Sequence, residues 1–168
     1  MVRRFFGLAL FFVAVALVIG CGPKRPDFLP KTFPVSAKVV DGGAPVEGVT
    51  VVLFPSQPLP NVTIHGTTSS DGTTAIASMA GGNNFNGAPA GEYVVTLNKK
   101  ITAPIPNEMV VAPGDSDDVV REKGEAMKAF KDEHRVVPEI LEKEGTSPLK
   151  LTVADKGELT VDLAEYKN

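Results

Sequence analysis

The chain has 168 residues, 43% of them hydrophobic and 22% charged, with a net charge of −3, two histidines, no tryptophan and one cysteine, Cys21. A single thiol excludes an intramolecular disulfide. Arg3 and Arg4 are the only charged residues before Cys21, so residues 21–168 carry −5, which argues against nucleic acid and against anionic membrane surfaces as electrostatic partners. Those 148 residues suffice for one domain with its own core, and 16 glycines and 14 prolines favour many turns and short strands over long helices.

The chain opens on Met1-Val2-Arg3-Arg4, an apolar run over residues 5–19, and then Gly20-Cys21. Two arginines, an apolar stretch of about 15 residues and a small residue describe a secretory signal peptide over 1–20, and the stretch is shorter than the roughly 20 residues that span a bilayer. Leu17-Val18-Ile19-Gly20-Cys21 resembles the lipobox of bacterial lipoproteins, although Val18 stands where leucine is usual. The resemblance implies cleavage between Gly20 and Cys21 and lipidation of Cys21, which becomes the mature N-terminus. Several acyl chains on one residue hold a protein at a membrane almost permanently. A transmembrane anchor and a leader cut elsewhere are the alternatives.

Residues 22–32, with three prolines, read as a semi-extended tether. In proteobacterial lipoproteins an aspartate after the lipidated cysteine favours the inner membrane, and Gly22 in that position favours the outer. From residue 33 the apolar period becomes two: Phe33, Val35, Ala37 and Val39 alternate with Pro34, Ser36 and Lys38. Asp41-Gly42-Gly43 is a turn, and 49–54 a second strand. Residues 62–68 form a third strand, and 73–79 a fourth after the turn Ser70-Asp71-Gly72. A fifth covers 91–97 with Tyr93, Val95 and Leu97 on one face. Leu149–Val153 and 158–163 flank Ala154-Asp155-Lys156-Gly157, the pattern of a β-hairpin. About seven short strands predict an all-β, antiparallel β-sandwich over 33–164. Residues 101–147 interrupt it as an insertion. They are Pro-rich at first, then a charged, exposed helix over 117–133 that Ser116 or Asp115 can cap. Residues 81–87 read as a polar loop with one exposed aromatic, Phe85. There is no internal repeat.

Four stretches carry a further resemblance. Val35-Ser-Ala-Lys-Val-Val-Asp-Gly-Gly-Ala-Pro-Val-Glu-Gly-Val-Thr-Val-Val-Leu-Phe54 is similar to the strand, "DG-x-PV-x-G" and second strand that open a carboxypeptidase-regulatory-like (transthyretin-like) domain as its first hairpin. Ser70-Asp71-Gly72 resembles that family's "T-D-x-D-G" turn, with Thr74 where an aromatic is usual. Residues 87–96 resemble its "G-x-P-x-G-x-Y-x-V-x-V" strand entry. Residues 137–153 resemble its "IP-x-KY…-SPL-x-x-x-V" segment, as found in small lipoproteins numerous in Planctomycetes. The resemblance spans 33–163, with 115–136 an unusual insertion. It implies a prealbumin-like Greek key of seven strands. Physically the shared residues are structural: Gly42, Gly43 and Gly72 supply positive φ at turns, Pro45 and Pro89 stiffen strand entries before Gly91, and Tyr93 packs in the core with its hydroxyl at the rim.

Chemistry-bearing residues are sparse. His65 and His134 lie far apart in sequence, where rim or solvated roles outweigh a shared metal site. Intradiol dioxygenases, whose sandwich is related, bind iron through two tyrosines and two histidines. Tyr93, Tyr166, His65 and His134 match that census and not its histidine spacing, and Tyr166 falls in an expected frayed tail. The transthyretin-like hydrolase of purine catabolism ends in Tyr-Arg-Gly-Ser, unlike Ala164-Glu-Tyr-Lys-Asn168. Asp115–Asp118 lack the interleaved spacing of a calcium loop and suit a helix N-terminus. Asn61-Val62-Thr63 matches a glycosylation sequon, which has little weight in a bacterial lipoprotein. The sequence therefore predicts no catalytic residue, metal or cofactor. The expected function is a lipid-anchored, non-catalytic envelope protein serving adhesion, binding or structure, with an envelope protein or a glycan as partner. The alternative is a carbohydrate- or peptide-binding module using loop 81–87 and insertion 101–136.

Overall fold

The computed structural model describes residues 24–167. The leader 1–20, the Gly20/Cys21 cleavage point and the lipidation of Cys21 lie outside them. The described chain is mostly β with one α-helix. Its strands are β1 (Thr32–Phe33), β2 (Val35–Asp41), β3 (Ala44–Pro45), β4 (Val49–Pro55), β5 (Val62–Thr67), β6 (Thr73–Ala75), β7 (Ala77–Ala80), β8 (Asn83–Asn86), β9 (Ala88–Pro89), β10 (Gly91–Lys99), β11 (Lys150–Val153) and β12 (Gly157–Asp162); helix α1 covers Asp117–Glu133.

One sheet runs in the order β11-β10-β4-β5-β7-β8, the other β12-β2-β3, with β6 also on β2; β1 and β9 form a small separate pair. Apolar alternation dictates which faces meet. Val49, Val51 and Leu53 of β4 and Tyr93, Val95 and Leu97 of β10 point inward, against Val35, Ala37 and Val39 of β2 and Val161 of β12. Each valine or leucine among them contributes about 1.5–3 kcal/mol by leaving water, and together these side chains make one core between two sheets.

Several pairings differ from those the sequence suggests. Residues 35–41 and 49–54 do not form a hairpin: β2 turns tightly onto β3, and the chain then crosses to the other sheet, where β4 pairs β10 and β5. Buried Thr68 staples this crossing, its Oγ1 accepting from Val49 N–H at 2.9 Å and donating to Val46 O at 2.7 Å. The fourth strand is split at Ile76. β6 pairs β2 in one sheet and β7 pairs β5 in the other, while Ile76 N–H bonds Val35 O and its carbonyl accepts from Gly87.

The C-terminal hairpin is also absent. β11 pairs β10, whereas β12 pairs β2, and pairs it in parallel, the exception to an otherwise antiparallel set of ladders among the described residues. A two-residue hairpin turn needs positive φ, and none of Ala154 to Gly157 has it. Gly157 serves instead by being small: a Cβ there would stand 3.0 Å from Val153 Cγ2 and 3.3 Å from Val35 Cγ2.

Residues 81–87 are not a free loop. Asn83–Asn86 pairs β7, and Phe85 is buried with Leu29 and Ala80 rather than exposed. Leu29 belongs to the expected tether, so that segment is docked from about residue 25 onward. Residues 163–166 are not frayed either. Asp162 Oδ1 caps a 3-10 turn over Leu163–Tyr166 by accepting from Ala164 N–H, Leu163 is fully buried, and Tyr166 packs on the core.

Strand registers define two poles. Gly91, Val153, Val62, Ala80 and Asn83 lie at one end of the larger sheet, and Lys99, Val49 and Thr67 at the other. β10 alone separates them by about 27 Å at ~3.3 Å per residue. The docked segment 24–33 sits at the first, the near pole. The insertion leaves from Lys99 at the second, the far pole.

Candidate functional site

A groove of about 520 Å³ lies at the far pole between the exit of α1, the following 3-10 turn Glu139–Leu141, and the C-terminal turn. Its position follows from local sequence. Ser116 is the N-cap of α1, with Asp117 and Asp118 in the first turn, where acids suit the helix dipole. The Ser116 side chain makes no capping bond. Asp115 instead accepts from Ala112 N–H and from Lys123 Nζ, both at 2.8 Å, and the Lys123 bond followed by the Ala112 bond holds its carboxyl below the ordinary range. At the other end Phe130 is buried, stacks on His134 at 4.2 Å, and its carbonyl meets His134 Nδ1 at 2.9 Å. Val137 and Leu141 then plug into the core, and Ser147 Oγ donates to Val95 O. These three fix the groove wall.

Arg135 dominates the groove. Its guanidinium donates to Asp132 at 2.9 Å and Glu142 at 3.1 Å, with Glu139 at 3.7 Å. Lys143 binds Glu139 at 3.0 Å, and that bond, then the charges of Lys143 and Arg135, lower the Glu139 carboxyl. On the opposite wall stand Tyr166 and Lys167, which pairs with Asp41 at the end of β2. Ile140 presents an apolar side chain to solvent. The surface is thus a mixed-charge rim around an aromatic and an aliphatic group. It can bind; it holds no aligned nucleophile and base.

The turn residues are spread over the molecule. Gly42 and Gly43 (φ 59° and 85°) form the far-pole turn between β2 and β3, where Gly42 N–H donates to Asp162 Oδ1 at 2.8 Å. That bond, followed by the Ala164 bond, lowers the Asp162 carboxyl. Gly72 (φ 75°) leaves no room for a side chain, since a Cβ would lie 2.5 Å from Val39 O. In the same turn Asp71 accepts from Thr73 N–H and from the Ser69 and Thr73 hydroxyls, which hold its carboxyl at about 2. Pro89 and Gly91 flank the start of β10 at the near pole. There the Pro89 carbonyl accepts from the Tyr93 hydroxyl at 2.7 Å, and burial pushes that hydroxyl up to about 12.

The structure does not gather Tyr93, Tyr166, His65 and His134. Tyr93 is committed to Pro89, His134 to Phe130, Tyr166 to the far pole, and His65 stands mid-strand in β5 with a buried, unpartnered Nδ1. Among the described residues no three His, Cys, Asp or Glu side chains are placed to hold a metal ion, and no helix is long and apolar enough to cross a membrane. Buried Ser78 and Ser147 are engaged by the backbone carbonyls of Gly87 and Val95. Sequence reasoning missed the near-pole dock and the Arg135 cluster. The signals were present: Leu29 is an aliphatic residue in a Pro-rich stretch, and Arg135 lies three residues after Asp132 and four before Glu139. Compared with protein-family models, curated proteins and solved structures, the chain matches none.

Proposed function

We infer that this protein is a non-catalytic lipoprotein of the cell envelope. Cys21 carries the lipid, and the domain is a transthyretin-like sandwich of the carboxypeptidase-regulatory-like kind that displays its far pole as a binding surface. The observation that carries this reading is the opposition of the two poles. The segment leading to Cys21 docks at one end, and the insertion with its groove occupies the other. Support for the anchor comes from the order Arg3-Arg4, apolar run, Gly20, Cys21. Gly22 favours the outer membrane, with the domain periplasmic or extracellular. The partner is an envelope protein or peptide in preference to a glycan, because Tyr166 is the one aromatic in the groove and sugar recognition draws on several. Residues 81–87 form no part of this surface, since Phe85 is buried and Asn83–Asn86 is strand.

Metabolic labelling with an azido-fatty acid tests the anchor. Wild-type protein is expected to take the label and Cys21→Ala to lose it. An unlabelled wild type, or label retained in Cys21→Ala, overturns the reading.

A further inference from the structure

Charge is unevenly distributed over the molecule. Residues 24–31 contain Lys24, Arg25 and Lys31 against one acid, Asp27, while the remainder of the domain is strongly acidic. This cationic stretch is fixed to the near pole. Pro26 lies against the β7–β8 turn, 3.4 Å from where a Gly81 Cβ would stand. Leu29 is 3% exposed against Ala80 and Phe85. The Arg25 guanidinium donates to Pro30 O and to Thr32 Oγ1, and sits 5.4 Å over the Phe85 ring. β1 then pairs β9, with Thr32 opposite Pro89 and Phe33 opposite Ala88. Phe28, on the same short stretch, is left 48% exposed.

Three cations beside an exposed aromatic carry charge of the sign that anionic headgroups attract. Chain length adds a second constraint. Gly22 and Pro23 alone separate Cys21 from Lys24, three Cα steps that span at most about 11 Å. That is close to the ~8 Å range of charge interactions at physiological salt. We propose that residues 24–31 form a membrane-contact surface: the sandwich stands near pole down on the anionic headgroups of the bilayer that holds its lipid, and the far-pole groove faces away. This rests on the lipidation of Cys21. Glu92 and Asp155 at the same pole offset part of this charge, whereas the acids of α1 at the far pole are repelled by the same headgroups and favour this orientation. The acidic balance that argues against an anionic membrane for the whole chain thus helps to orient it.

The test uses full-length, processed protein in vesicles of phosphatidylcholine and phosphatidylglycerol in equal parts, with spin-labelled headgroups as quencher. The protein has no tryptophan, so single tryptophans report position. Emission of Asn83→Trp, at the near pole, is expected to fall by about half or more, given the short reach, and that of Ile140→Trp, at the far pole, to be unchanged. Leu29→Ser in the Asn83→Trp background, with the fold checked by circular dichroism, is expected to restore emission by undocking the segment. Equal quenching at both poles, no quenching of Asn83→Trp, or quenching indifferent to Leu29→Ser overturns the proposed pose. Flotation of the wild type with the vesicles separates the two readings: protein that floats without near-pole quenching refutes the pose alone, and protein that does not float refutes the anchor and the pose with it.

Discussion

The two poles are built on different principles. The near pole is made by backbone and apolar contact: β1 on β9, Leu29 on Phe85, the Tyr93 hydroxyl on Pro89, and glycines where chains approach too closely for a side chain. The far pole is made by charge. Arg135, Glu139, Glu142, Lys143 and Lys167 are paired with neighbours near water, and α1 has a single buried residue, Phe130. Surface ion pairs are worth little, about 0–1 kcal/mol each. A packed end can hold an orientation, and a charged end can vary its surface without unfolding the sandwich.

Glycine substitutions give the sharpest contrast. At the near pole, Gly87 has φ 85° and an added Cβ would collide with the Phe33 carbonyl. Gly87→Ala is expected to destabilise by about 3 kcal/mol or more, read by urea unfolding. Gly42→Ala at the far pole also has positive φ but meets no atom within 4 Å, and should cost only about 1–2 kcal/mol. Equal losses would erase the distinction. Leu141→Ala probes a point where the far-pole segment enters the core: the side chain is fully buried, and about 2–5 kcal/mol should be lost.

Tyr93→Phe should cost about 1–2 kcal/mol by leaving the Pro89 carbonyl without its donor. The same residue predicts a pH dependence. The folded hydroxyl titrates at about 12 against an ordinary 10, so its contribution is complete below pH 10 and is lost as pH rises toward 12. Thermal melts over that window should show a larger loss in wild type than in Tyr93→Phe. The smallest effect is expected from replacing residues 117–133 with a short Gly-Ser linker, because α1 stands on the sandwich rather than in it. A shift of less than about 1 kcal/mol, with strand circular dichroism retained, would show that the helix is dispensable to the fold. Global unfolding would move α1 from ornament to core.

What was legible in the sequence follows the reach of each signal. Helix α1 was legible at both ends, since Ser116 followed by two aspartates starts it and the charged face runs to Glu133. β10 was legible because Tyr93, Val95 and Leu97 alternate. Alternation reveals which face of a strand is buried and says nothing of which sheet the strand joins. Residues 149–163 therefore read as a hairpin although β11 and β12 lie in opposite sheets. β8 was hidden because Asn83-Asn84-Phe85-Asn86 has the composition of a turn, and pairing with β7 overrides it. The far-pole groove was hidden for a different reason. It joins Arg135 to Tyr166 and Lys167 across the fold, and only the capped C-terminal turn brings those segments together.

The parallel ladder between β2 and β12 joins the first long strand of the domain to the last, with Val35 beside Gly157 and Val40 beside Asp162. A ribosome releases these partners more than a hundred residues apart, so β2 waits for β12 before its edge is closed. Such long-range pairing slows folding. A chain truncated before residue 157 would leave β2 as an open edge able to pair with a second molecule, so the domain is closed only once β12 has been made.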